Sequence, residues 1–529
     1  MISPAIVNEA GDVLRRKFGS NDARIVTHLR LMTRVAEIVT PTSTINVVAA
    51  DEDDNSSSIA PPPAARTSKP GSLSPVPHTP PRGCPPKAGC YTLLSYPMSR
   101  FLFTCWSFPG HVFQPMAIAH VLRERGHACA FYSGPRAART VEGENFPFFP
   151  SDKAEEDAMY DFMFAPDQTR TVNWRSMLQF SSTIQRWLLG SIPQQVADLE
   201  RISAAWKPDA IVTEQNMWAP MLVLHEKDRM PVAVLGYISC MVPGPDAPPF
   251  GMGLPGPRNW YTRLLSKAVW TGTAPFRAGF RRAANETRHR YGLPPINTSV
   301  LEFTGTMPLY LVMGTSEFDY ERKDLPPSVH YVGACLWDKL RHEQPSDWLD
   351  QLPKDKPWVH ASEGTVHVVS PFVLSAAAQG LANLPMQVIL TTGGNREPSE
   401  LDLGPIAPNV RVVRWVSHTE LLPRLAVMIT TGGSATVQTT LRAGVPLIVV
   451  PTDWDKPDIA RRVVETGAGI SLSPAQCTPN RLRAAVEQVL ATPSYRQNAQ
   501  RMAAAFARYG GPPAAADLLE QLAQGRITA

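Results

Sequence analysis

From Met98 onward, short apolar runs alternate with longer amphipathic stretches, the rhythm of strands and helices in an α/β protein. Phe101–Cys105 is predicted as a first strand and Trp106–His111 as a loop. Pro115 then suits the first turn of a helix that runs to Arg125 and is closed by Gly126. Ala128–Tyr132 follows as a second strand, completing a βαβ opening. Pro208–Glu214, Pro231–Tyr237, Leu309–Met313 and His330–Gly333 read as later strands, with Glu214 just beyond the carboxyl end of its own. Residues 151–190 carry Met159, Tyr160, Phe162, Met163, Phe164, Trp174, Phe180 and Trp187 without a strand period. They are expected to divide between a helical core stripe and an apolar pocket. Pro243–Pro257 is a Pro/Gly-rich loop placed to overhang such a pocket.

The rhythm breaks at 337–356, polar and punctuated by proline, and then resumes. Pro357–His360, Val388–Leu390, Val410–Val413, Ala426–Thr430 and Leu447–Val450 are the strands of a second unit. Ile459–Glu465, Pro479–Ala491, Ser494–Tyr509 and Ala514–Leu522 are its later helices. The expected organisation is therefore a first α/β domain over 98–336, a linker over 337–356 and a second α/β domain over 357–529. Residues 1–97 differ in kind. Asn8–Val39 has apolar positions for a helix or two, but Asp51–Pro86 is acidic, Ser-rich and Pro-rich. That composition buries too little apolar surface to offset chain entropy, so a disordered or weakly structured extension is expected.

Composition narrows the function classes. With 529 residues, 43% hydrophobic and 19% charged, the chain has the make-up of a globular protein of about two to four domains. A net charge of +4 without a dense Lys/Arg block argues against a nucleic-acid partner. Seven scattered cysteines, mostly in apolar runs, read as buried free thiols of a reducing compartment. With no apolar stretch of transmembrane length and no apolar leader core, a cytoplasmic location is expected.

The densest chemistry lies in Trp415–Lys456. Two strands there are each followed by turn residues, and Thr431-Gly432-Gly433-Ser434-Ala435-Thr436 opens a helical pattern that stops at Gly444. A small-residue turn at a helix N-terminus brings backbone N–H groups close to a bound anion. Thr431, Ser434 and Thr436 add hydroxyls at the same place. Trp415 offers a flat face for a nucleobase, and Asp455-Lys456 offers hydrogen-bonding groups suited to sugar hydroxyls.

This run resembles the donor-binding signature of nucleotide-sugar-dependent glycosyltransferases with the GT-B fold, two facing Rossmann-like doubly wound domains with a cleft between them. The likeness is greatest to the bacterial natural-product branch, within the UDP-glycosyltransferase and macrolide glycosyltransferase group. The resemblance makes 98–336 the acceptor domain and 357–529 the nucleotide-sugar domain. It implies that Trp415 stacks on the base, that Gly433, Ser434, Ala435 and Thr436 cradle the diphosphate, and that Asp455 holds the donor sugar. Four positions depart from the pattern: Lys456 stands for the usual Gln, Thr431 for His, His418 for Gln, and Thr439 for the Glu that grips the ribose hydroxyls.

Ligands of open parallel sheets bind at the carboxyl ends of strands. Gly110-His111 and Glu214 lie at such ends in the first domain, and Glu363-Gly364-Thr365 and Asp455 in the second. Histidine has the pKa suited to proton abstraction near neutrality, and by resemblance His111 is the base for the acceptor hydroxyl. Glu214 is the nearest match to the carboxylate that orients it. Thr365 and the 433–436 turn would neutralise charge on the leaving diphosphate. Lys456 would either assist there or replace the Gln on a sugar hydroxyl. The expected activity is inverting transfer of a sugar from a UDP- or dTDP-sugar to a hydroxyl of a small lipophilic acceptor, with no metal and no resident cofactor. The alternatives are a nucleotide-sugar epimerase or hydrolase on the same fold, and a non-catalytic binding protein that kept the fold.

Overall fold

A computed structural model describes residues 98–163, 185–337, 347–364, 370–393 and 396–527. Seven strands form a first parallel sheet: β1 (Arg100–Thr104), β2 (Ala128–Ser133), β3 (Phe148–Pro150), β4 (Ala210–Glu214), β5 (Val232–Gly236), β6 (Leu309–Val312) and β7 (Val329–Tyr331), in the order β3-β2-β1-β4-β5-β6-β7. Six form a second: β8 (Trp358–Ser362), β9 (Gln387–Thr391), β10 (Val410–Val413), β11 (Leu425–Thr430), β12 (Leu447–Val449) and β13 (Gly469–Ser471), in the order β10-β9-β8-β11-β12-β13. Both orders reverse direction beside the first strand of their sheet, so each sheet is doubly wound.

The central strands are buried along their whole length, as parallel strands covered on both faces must be. Their near-continuous apolar runs are the sequence trace of that burial. The unanticipated strands β3 and β13 have three residues each, too few to show a period. In the first sheet the register sets Thr104 against Thr213, whose hydroxyls bond at 2.8 Å, so β1 and β4 end level with each other.

Ten helices position the site or cover the sheets: α1 (Pro109–Glu124), α2 (Ile192–Trp206), α3 (Trp260–Gly272), α4 (Ala274–Arg290), α5 (Phe372–Gly380), α6 (Ser434–Arg442), α7 (Lys456–Glu465), α8 (Pro479–Ala491), α9 (Pro493–Phe506) and α10 (Pro512–Ala523). α1 corrects the sequence reading. It begins at Pro109, not Pro115, and His111 stands in its first turn rather than in a loop. Two prolines compete for the start. Pro115 stays inside the helix, where its missing N–H leaves the His111 carbonyl without its i+4 donor, while Val112, Met116 and Ala119 bury on the sheet.

α10 returns to the first sheet. Ala515, Ala516, Leu519 and Leu522 join the core of Phe101, Val112 and Leu122. Arg125 pairs with Asp517 at 2.7 Å, and His127 meets Glu520 at 3.0 Å. The five described cysteines are free thiols; burial raises those of Cys129 and Cys335 to about 12. Among the described residues, no helix is long and apolar enough to cross a membrane.

Candidate functional site

Glu214 closes β4, and β1 ends level with it and leads into α1. This brings Glu214 Oε2 to 2.5 Å from His111 Nδ1. Glu214 is fully buried, while the His111 side chain is 27% exposed. Burial by itself would lower the imidazole pKa. The Glu214 charge, its hydrogen bond and the Asp455 charge outweigh burial and raise it above 6.5. Tyr237, just past β5, sits edge-on to the His111 ring at 5.5 Å, and its hydroxyl lies 3.5 Å from Glu214 Oε2. Tyr237 escaped the sequence reading, although its place after a strand carried the same signal as Glu214.

An aromatic cluster adjoins this pair through Phe108. Phe108 lies 5.5 Å from the His111 ring and 5.0 Å from Tyr160. Trp106 meets Trp187 at 4.9 Å, and Trp187 meets Trp454 of the second half at 5.9 Å. Tyr160 and Trp187 belong to the aromatic segment noted in the sequence; Phe164, Trp174 and Phe180 lie outside the described residues.

In the second half, β11 leads through Thr431-Gly432-Gly433 into α6. Gly432 has φ +94°, and a Cβ there would stand 2.8 Å from Val449, so only glycine fits. A Cβ at Gly433 would meet no atom within 4 Å, which leaves the turn open to an anion at the helix N-terminus. The hydroxyls are less available than their number suggests. Thr431, expected as a ligand donor, donates to the Glu363 carbonyl at 2.9 Å and braces the turn. Ser434 accepts from Gln438 at 2.9 Å and keeps its own proton. Thr439 donates to the Ala435 carbonyl at 2.6 Å. Ala435, Thr436 and Thr439 are half-buried. Thr365 lies outside the described residues.

Asp455 is the N-cap residue of α7, next to Trp454, whose φ is +57°. Burial raises its carboxyl pKa, while Lys456 and His111 oppose the shift. His111 and Asp455 thus come from opposite halves and feel each other's charge. The Lys456 ammonium bonds Thr452 at 2.9 Å and lies 3.5 Å from Asp453. Asp453-Trp454-Asp455 has the spacing of an Asp-x-Asp pair, a motif that the expectation of metal-free transfer had taken to be absent here. Here Lys456 occupies Asp453, and no group of three candidate metal ligands occurs among the described residues. One turn on, buried Asp458 accepts from Gly251 N–H at 2.6 Å and Gly253 N–H at 2.8 Å, both in the Pro/Gly-rich loop of the first half. This clamp was missed as well; its partners lie some two hundred residues away.

Trp415 is half-buried just past β10. His418 opens a short helix, His418–Leu421, and its ring lies edge-on at 5.8 Å to His360 on β8. Burial and the nearby His418 push His360 well below the ordinary histidine range, so it is neutral and bonds Thr391 at 3.0 Å.

Comparison with known proteins gives the family and the fold. The family described as Erythromycin biosynthesis protein CIII-like, C-terminal domain, matches residues 377–522. The 4'-demethylrebeccamycin synthase of Lentzea aerocolonigenes is 30% identical over 419 residues, 78% of this chain and 97% of the relative. Among solved structures, the calicheamicin glycosyltransferase CalG4 has a TM-score of 0.62 at 22% identity, covering 82% of this chain and all of CalG4. The glycosyltransferase VinC, solved in complex with dTDP, has a TM-score of 0.57 at 19% identity, covering 80% of this chain and all of VinC. These structural likenesses carry the fold: two parallel-sheet α/β domains in the GT-B arrangement.

Proposed function

The chain belongs to the natural-product glycosyltransferases of the GT-B fold, and from that premise we propose that it transfers a sugar, with inversion, from a dTDP- or UDP-sugar to a hydroxyl of a small lipophilic acceptor. The observation that carries this reading is the His111–Glu214 pair in the first half, electrostatically coupled to Asp455 of the second. Glu214 accepts the Nδ1 proton, which leaves Nε2 as the base and stabilises the imidazolium that forms. His111 takes the acceptor hydroxyl proton. The oxygen bonds the anomeric carbon on one face as the bond to the diphosphate breaks on the other.

The leaving diphosphate gathers charge, and the open turn at Gly433 supplies backbone N–H groups at the N-terminus of α6 to receive it. Asp455 holds donor-sugar hydroxyls, and Trp415 stacks on the base. Because Lys456 is engaged by Thr452 and Asp453, its part is to order that turn rather than to bind phosphate. The rings of Phe108, Tyr160, Trp106, Trp187 and Trp454 suit a flat or lipophilic acceptor. VinC's complex with dTDP supports a deoxynucleotide donor.

The test is an acceptor panel incubated with dTDP- and UDP-sugars. Products are identified by mass spectrometry, and anomeric configuration by NMR. A product of inverted configuration whose formation requires His111 is expected. Donor breakdown that is equal without acceptor and in His111→Ala would overturn the assignment.

A further inference from the structure

Exposed large apolar side chains are unevenly spread over the described residues. Of eight, five (Met252, Trp260, Tyr261, Leu264 and Phe276) fall between residues 252 and 276. α3, which carries three of them, is inside out. Its buried residues are Thr262 and Ser266, and Asn259 and Thr262 close a capping box at its start. Trp260 and Leu264, one turn apart on one face, are 62% and 58% exposed, and Lys267 and Ala268 extend that face outward. Phe276, 45% exposed, stands in the first turn of α4.

Charge singles out the same segment. Between Asp246 and Glu286 there is no acidic residue, while Arg258, Arg263, Lys267, Arg277, Arg281 and Arg282 are all cationic. Six positive charges thus occupy a segment of a chain whose net charge is only +4. Arg258 reaches Glu465 at 4.0 Å, and Arg277 lies over the Trp270 ring at 4.4 Å. Arg263, Lys267, Arg281 and Arg282 are exposed.

We propose that α3 and the start of α4 form a docking surface for an anionic lipid bilayer. Trp260 and Tyr261 suit the headgroup level, and Leu264 reaches the acyl boundary. Arg and Lys stems lie along the apolar face while their charges meet lipid phosphates. A protein partner would bury its apolar contacts in a core depleted of charge, whereas here apolar and cationic positions interleave on one helix. The loop leading into α3 is held by Asp458 through Gly251 and Gly253, so the surface is tied to the helix that carries Asp455. The inference rests on this surface and not on the acceptor proposed above.

The test is co-sedimentation of the full chain with vesicles of phosphatidylcholine alone and of an equimolar phosphatidylcholine–phosphatidylglycerol mixture. Binding to the mixed vesicles alone is expected, weakening as salt is added. Lys267→Gln and Arg282→Gln should each reduce partitioning about fivefold, and Trp260→Ala with Leu264→Ala about tenfold or more. The melting temperature and transfer to a water-dissolved acceptor should stay unchanged, because these side chains face outward. Absence of binding, or equal binding to both vesicles, overturns the proposal. So does a dimer broken by Leu264→Arg, which makes a second copy the occupant, or retention on polyglutamate without vesicle binding, which makes it an acidic polypeptide.

Discussion

His111 Nδ1 lies 2.5 Å from Glu214 Oε2 although 103 positions separate them in the chain. The contact raises the histidine pKa above 6.5 against the opposing effect of burial. A base must be neutral to accept a proton, so kcat/KM for transfer should rise with pH through a value above 6.5. Glu214→Gln should move this limb to lower pH and reduce kcat about tenfold to a hundredfold. His111→Ala should lose at least about a hundredfold in kcat with donor affinity almost unchanged. An unmoved pH limb in Glu214→Gln would separate the carboxylate from the base.

Thr439 stands where the resemblance to the glycosyltransferase signature implies a glutamate, and its one proton already goes to the Ala435 carbonyl at 2.6 Å. It can offer a ribose hydroxyl only a neutral acceptor, worth about 0.5–1.5 kcal/mol against roughly 1.5–3 kcal/mol for a charged one. Discrimination between ribose and deoxyribose should therefore fall below about tenfold, with dTDP-sugars used at least comparably to UDP-sugars. Thr439→Glu should shift kcat/KM toward UDP-glucose over dTDP-glucose. A wild-type preference for UDP of more than about a hundredfold, unchanged by the glutamate, would refute this.

Asp458 holds the loop of the first half through two backbone N–H groups, and burial raises its pKa from 3.8 to about 7. Between those values the folded chain binds more protons than the unfolded one, so this group makes stability fall as pH rises through the window. Asp458→Asn removes the titration and leaves one glycine N–H facing an amide NH2. It should lower stability at the acid end, by about 1–3 kcal/mol, and flatten the pH dependence by up to about 1.4 kcal/mol per pH unit. Denaturant midpoints of both proteins across that window would check it. Glu155 and Glu363 are also raised to about 7, so the difference between variant and wild type isolates Asp458.

Residues 1–97 precede the first strand and carry the acidic, Pro-rich tract. A chain of residues 98–529 should match the full chain in melting temperature and in turnover on a dissolved acceptor. A loss of more than about tenfold in rate, roughly 1.4 kcal/mol, would show that the extension contributes.

All strands but β3 and β13 were legible in the sequence because parallel strands buried on both faces leave apolar runs that few other structures produce, while the doubly wound character was implied by the resemblance of Trp415–Lys456 to the GT-B glycosyltransferases. The turn before α6 was legible for a similar local reason: Gly432 and Gly433 sit between an apolar strand and an amphipathic helix. The ends of strands also pointed to His111, Glu214 and Asp455 as positions at the site. Only the tertiary structure decided what lies between those positions. By sequence Pro115 suits the helix start, but α1 begins at Pro109, with Val112 and Met116 buried against the sheet. Thr431, Thr439 and Lys456 all looked like ligand donors, but a proton goes to whichever acceptor the fold places within reach. The Asp458 clamp spans 207 positions, and α3 turns Thr262 and Ser266 inward with Trp260 and Leu264 outward. Local pattern cannot encode such arrangements, because the partners that determine them are brought together only when the chain has folded.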